Sequence, residues 1–148
     1  MGQSLASERA AVAAYKSISV APLAGAVGAE VGGVNLRTLK DDAVWSEILR
    51  AFAEHAVLVF RDQPLEPSDL MRVGERFGPA SYYPFVVGMA DFPYIFEIIK
   101  EPSETRNFGG AWHSDSSYLA QPPLGTLLHA LECPDYGGDT LFTSTCAS

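Results

Sequence analysis

Basic residues are scarce in this chain. Its 148 residues carry 10 Lys and Arg against 18 Asp and Glu, a formal net charge of −8. No Lys/Arg cluster supplies a basic face, and an acidic chain repels a phosphate backbone, so nucleic acid is not an expected partner. Cysteine is nearly absent too: Cys133 and Cys146 stand alone, with no CxxC pair. That excludes a disulfide scaffold and fits a reducing compartment, so the expected location is the cytoplasm. No apolar run approaches the roughly eighteen residues that cross a bilayer, and no apolar stretch follows a basic start. Neither a membrane span nor a secretory leader is expected. What the chain does have is apolar bulk, 47% hydrophobic against 19% charged residues. That excludes a disordered tail. A chain of this length buries roughly two thirds of its unfolded surface, enough for one domain with a core.

Residues 1–14, Ala-rich from Ala10 to Ala14, read as a flexible N-terminal arm. No linker divides residues 15–148. Tyr15 to Val20 predicts a first strand ending at Pro22. The glycine-rich stretch GAVGAEVGGVNL, Gly25 to Leu36, reads as strand–turn–strand. It is not read as a phosphate cradle, because no GKS or GKT follows and no GxGxxG is present. Asp41 and Asp42 open a helix, with Val44, Trp45, Ile48, Leu49, Phe52, Ala53 and Ala56 at helical spacing. Ala56 to Phe60, AVLVF, predicts a strand buried on both faces. Pro67-Ser68-Asp69 starts a second helix that runs to Phe77 before Gly78-Pro79. Further on, Pro93–Lys100, Gly125–Glu132 and Asp139–Thr143 predict strands, and Trp112–Leu119 an extended segment. The fold class is therefore mainly β with flanking helices, of sandwich or barrel type.

The chemistry concentrates in Trp112-His113-Ser114-Asp115. In an extended segment residues i and i+2 share a face, so His113 and Asp115 project to one side. An imidazole and a carboxylate on one side, with one more His, make the facial triad of non-haem Fe(II) oxygenases, whose opposite face stays open. HxD by itself is equally a surface hydrogen-bonded pair. Trp112 could shield the site, and Gly109-Gly110 would allow close backbone approach. His55 reads as a cation at a helix C-terminus and His129 as a strand side chain; neither completes the triad.

Residues Asn107 to Phe142 resemble the taurine dioxygenase (TauD/TfdA-like) family of Fe(II)- and 2-oxoglutarate-dependent oxygenases. WHSD at Trp112 to Asp115, the pair Pro122-Pro123 and GGDTLF at Gly137 to Phe142 carry the likeness in order and spacing. VGAEVGGVNL at Val27 to Leu36, AVLVFRDQ at Ala56 to Gln63 and ERFG at Glu75 to Gly78 agree more loosely. The resemblance implies a double-stranded β-helix (jelly roll) with residues 15–148 as its N-terminal portion. It makes His113 and Asp115 two iron ligands and Thr140 a contact to the 2-oxoglutarate carboxylate. Tyr83, Phe85 and Asn107 fall where the family lines its substrate pocket. Tyr83 and Val86 stand where the taurine enzyme has His and Tyr.

The implied reaction hydroxylates a small, anionic organic substrate (a sulfonate, sulfate ester or aryloxy acid) with O₂ and 2-oxoglutarate, releasing succinate and CO₂. The family's distal His ligand and its 2-oxoglutarate-binding Arg have no counterpart here, and Arg106 reads as a solvated loop residue. A jelly roll with half its strands has unpaired edges. Three resolutions are expected: a remainder on a separate chain, strand pairing between copies in a homo-oligomer, or poor folding. The alternative readings are a truncated, catalytically incompetent fragment or pseudo-enzyme, and a Zn or Fe hydrolase, which lacks a third ligand and a general base.

Overall fold

The computed structural model describes residues 14–105 and 107–146. The expected arm, residues 1–14, lies outside that range except for Ala14, as does Arg106. The chain forms two compact units. The first combines Asp41–Arg61 with the segment up to Val34 and the end of the chain from Phe142. The second comprises Asn35–Lys40 and Asp62–Leu141.

In the first unit the helix α1 runs over Asp42–His55. Asp41 caps it, its Oδ1 accepting the Ala43 N–H at 2.8 Å, so one orphan donor of the first turn is satisfied. The expected stripe faces inward, with Trp45, Ile48 and Ala51 buried. His55 lies in the last turn, where a cation suits the helix dipole. The glycine-rich stretch holds one strand instead of the expected two: β2 (Ala29–Gly32) pairs antiparallel with β1 (Ser19–Pro22), which precedes the stretch. Ser19 stands opposite Gly32, and a Cβ at Gly32 would lie 2.7 Å from the Ser19 Oγ, so any side chain there requires the Ser19 hydroxyl to turn away. Strand β3 (Leu58–Val59) pairs parallel on the other side of β2, giving the order β1-β2-β3. The helix α1 packs on β2 and β3. Ile18, Ala29 and Val31 join Trp45, Ile48 and Ala51 as the buried residues of this unit.

Two expectations are corrected here. The AVLVF strand shrinks to Leu58–Val59 and is half-buried, because β3 is an edge of the sheet and Ala56 is spent on the helix C-cap. The first strand begins at Ser19 rather than Tyr15. The Lys16 and Ser17 N–H groups instead donate to the two carboxylate oxygens of Glu47 on α1, at 2.8 and 2.9 Å. Tyr15 is clasped by the same helix, its hydroxyl donating to Glu54 at 2.6 Å and its ring lying 4.0 Å from the Arg50 guanidinium.

The backbone donors of Lys16 and Ser17 hold the Glu47 carboxyl below its ordinary value of 4.5. A depressed carboxylate takes up its proton later in the folded state than in the unfolded chain. Its contribution is therefore complete above about pH 4.5 and is lost as the pH falls further. Glu47→Gln is expected to flatten the acid limb of the stability curve below that pH. Urea midpoints at a series of pH values, read from the fluorescence of buried Trp45, check this; an acid limb identical to wild type would contradict it.

In the second unit Pro67 opens α2, Pro67–Glu75, at a position where its missing N–H costs nothing. Asp69 Oδ2 accepts the Glu66 N–H at 3.1 Å, and its Oδ1 pairs with Arg72 at 3.2 Å. Arg72 also donates to the carbonyls of Leu36 and Arg37, which fastens residues 35–40 to the helix. Leu36 and Val73 are the buried apolar residues of this unit. The helix ends two residues before the expected Phe77, as the Arg76 and Phe77 N–H groups turn back to Val73 and Gly74. No described helix is long and apolar enough to cross a membrane.

The strands expected at Pro93–Lys100, Gly125–Glu132 and Asp139–Thr143 do not form. A strand needs a neighbour for its N–H and C=O groups. Among the described residues no backbone ladder reaches these segments. Their apolar side chains stay exposed, Ile99 at 70%, Leu131 at 78% and Leu141 at 71%. The described residues thus hold one three-stranded sheet and two helices.

Candidate metal centre

The segment around the HxD pair begins in a tight turn, with the Gly110 N–H donating to the Asn107 carbonyl at 3.3 Å. The close approach expected at Gly109-Gly110 occurs at Gly109. This residue sits at φ +66°, and a Cβ there would lie 3.2 Å from His113 Cε1. Backbone conformation and space both call for glycine, which lets the loop floor support the imidazole edge. The extended segment expected over Trp112–Leu119 does not form a strand, and the chain bends from Asp115. Ser116 then takes a left-handed conformation (φ 48°), and the Leu119 N–H returns to its carbonyl at 3.1 Å. Ser114 and Ser117 hydroxyls meet at 2.8 Å across this turn.

The two side chains converge where the chain bends at Asp115. His113 Nε2 lies 3.1 Å from Asp115 Oδ1. Across the ring, His113 Nδ1 is 2.7 Å from the Ala111 carbonyl oxygen. A carbonyl only accepts, so that bond places the proton of a neutral imidazole on Nδ1 and the lone pair on Nε2, facing the carboxylate. The Ala111 carbonyl does most to push the His113 pKa up; lost solvation opposes it, and the Asp115 carboxylate adds to the rise. The other carboxylate oxygen, Oδ2, accepts the Thr126 hydroxyl at 2.9 Å.

The donor set fits a divalent cation. Two donors, each about 2.1 Å from an octahedral ion and at a right angle, stand about 3 Å apart, close to the observed spacing. Both side chains are about half exposed (55% and 53%), so an ion has access. Among the described residues no third His, Cys, Asp or Glu joins them. His129 Nε2 instead donates to the Gln63 carbonyl at 3.1 Å, anchoring its segment to residues after β3.

The other predicted residues are placed as follows. Tyr83 and Phe85 meet edge to face, with centroids 5.5 Å apart. Phe96 stacks on Tyr83 at 5.7 Å and meets Phe108 at 6.2 Å. This row of rings ends beside Gly109, the residue that touches His113. A loop closed by Met89 and Ile95 (N–H to carbonyl, 2.8 Å) carries Phe96 to Tyr83. Asn107 is exposed and adjoins Phe108. Thr140 is exposed and makes no hydrogen bond with His113 or Asp115. Trp112, read as a shield, is 69% exposed. The Pro122-Pro123 pair lines a groove of about 500 Å³ with Phe77, Pro79 and Leu124. Sequence reasoning missed Phe96 and Thr126. Phe108 was legible as the neighbour of Asn107, whereas no spacing rule links Thr126 to Asp115.

A family profile described as "Taurine catabolism dioxygenase TauD, TfdA family" matches residues 19–148. The chain belongs to the TauD/TfdA family. An alkylsulfatase from Acinetobacter baylyi is 30% identical over 131 residues, 88% of this chain and 40% of that protein. A (S)-phenoxypropionate/alpha-ketoglutarate-dioxygenase from Sphingobium herbicidovorans is 32% identical over 142 residues, 89% of this chain and 47% of that protein. This TauD/TfdA chain thus spans less than half the length of these curated relatives. A crystal structure of a taurine dioxygenase from Burkholderia xenovorans matches 53% of this chain and 28% of its own, at 30% identity and a TM-score of 0.49.

Proposed function

We propose that this protein acts as an Fe(II)- and 2-oxoglutarate-dependent dioxygenase, with His113 and Asp115 as two of the metal ligands. The observation that carries the reading is the 3.1 Å convergence of His113 Nε2 and Asp115 Oδ1 in a member of the TauD/TfdA family. Bound there, ferrous iron supplies dioxygen activation coupled to the decarboxylation of 2-oxoglutarate to succinate and CO₂. The chain's own residues do the rest. The Ala111 carbonyl fixes the imidazole tautomer, so that Nε2 presents a lone pair. Gly109 leaves room for the ring. Thr140 offers a hydroxyl donor for a carboxylate of 2-oxoglutarate.

The row Tyr83, Phe85, Phe96 and Phe108 gives the substrate an apolar wall that keeps water from one flank, with Asn107 as a polar contact. The substrate class proposed is a small organic anion: a sulfonate, a sulfate ester or an aryloxy acid. The names of the relatives, an alkylsulfatase and a phenoxypropionate dioxygenase, support that range. The fold proposed for the whole domain is the jelly roll, with residues 15–148 as its N-terminal portion, working in the cytoplasm on a small molecule and O₂.

The test is anaerobic addition of Fe(II) and 2-oxoglutarate to the protein. A weak visible charge-transfer band is expected, and it is expected to vanish in Asp115→Ala. No band at saturating 2-oxoglutarate would overturn the reading in favour of a catalytically incompetent chain.

A further inference from the structure

We propose that Thr126 is a positioning residue that restricts Asp115 to a single ligating oxygen. The proposal rests on the reading of His113 and Asp115 as metal ligands and concerns how the carboxylate binds. A carboxylate can grip a cation through one oxygen or both. Here the two oxygens have different partners. Oδ1 lies 3.1 Å from His113 Nε2, on the side where an ion would sit. Oδ2 accepts the Thr126 hydroxyl at 2.9 Å, on the other side. That hydrogen bond fixes the plane of the carboxylate and occupies the oxygen a two-point grip would require.

The placement of Thr126 has its own support. The residue lies 11 positions beyond Asp115, so local backbone geometry does not impose the contact. Three residues further on, His129 anchors the same segment to the Gln63 carbonyl at 3.1 Å. The hydroxyl is thus delivered from a separately fastened stretch of chain. The consequence is a matter of coordination number. On a six-coordinate ion, a carboxylate gripping through both oxygens would take one position more than a single-oxygen grip and leave one fewer for exchangeable ligands.

The test uses Mn(II) as the probe with the full chain and counts the water molecules on the bound ion by ¹⁷O-water hyperfine spectroscopy. Thr126→Val keeps the shape and removes the hydroxyl; the residue is exposed, so the fold is expected to persist. Bound Mn(II) in this variant is expected to hold one water fewer than in wild type, as Oδ2 joins the coordination. Thr126→Ser, which keeps the hydroxyl, is expected to hold the wild-type number. A tie between two loops with no bearing on the ion would leave the count unchanged in both. An unchanged count in Thr126→Val, with Mn(II) binding lost in Asp115→Ala, would overturn the role of Thr126 and leave the ligand assignment standing. Mn(II) binding unaffected in Asp115→Ala would overturn the ligand assignment and this proposal with it.

Discussion

His113→Ala is expected to lower the affinity for Fe(II) or Mn(II) by at least about 100-fold. Loss of an outer partner of a ligand commonly costs 10–100-fold, and loss of a ligand itself exceeds that. Among the described residues no third His, Cys, Asp or Glu joins the pair, and His129 is engaged with the Gln63 carbonyl. Asp115→Ala is expected to behave alike. His55→Ala is expected to bind as wild type does. Titration of free Mn(II) by its electron paramagnetic resonance signal reads all three. Equal affinities in wild type and His113→Ala would remove the imidazole from the site.

Ile48→Ala destabilises the first unit by about 3 kcal/mol, within the usual cost of deleting a fully buried aliphatic side chain. Ile48 is 0% exposed and sits on the face of α1 between Trp45 and Ala51. The lost transfer energy and the cavity add together, because the helix is capped by Asp41 and packed on β2 and β3 and so cannot collapse into the space. Chemical denaturation followed through Trp45 measures it. A loss under about 1 kcal/mol would mean that this helix face does not form the core.

The helices were legible because their signals are local. The Asp41 cap, the Pro67 start and the three- and four-residue spacing of Trp45, Ile48 and Ala51 act within one element. The β1–β2 hairpin was legible only in part, because the glycine-rich stretch holds its second strand but not its first. The strands expected at Pro93–Lys100, Gly125–Glu132 and Asp139–Thr143 were read from apolar content, which marks a side chain's preference but not a partner for its backbone. No such partner pairs with them among the described residues.

The HxD pair was legible because the motif keeps the two side chains within two residues, close enough to meet at 3.1 Å even though the segment bends from Asp115 instead of running as a strand. Thr126 was not, because its contact depends on two distant segments being fastened side by side. The ring row was half legible. Tyr83, Phe85 and Asn107 came from the family likeness, whereas Phe96 arrives through the Met89–Ile95 closure, a turn no sequence signal marked.

On the proposed function the His113 imidazole itself ligates the metal. Electron spin echo envelope modulation on bound Mn(II) reads this directly, since a ligating imidazole nitrogen imprints its coupling on the signal. This nitrogen modulation is expected in wild type and in His55→Ala and is expected to be absent in His113→Ala. Modulation that survives intact in His113→Ala would contradict it.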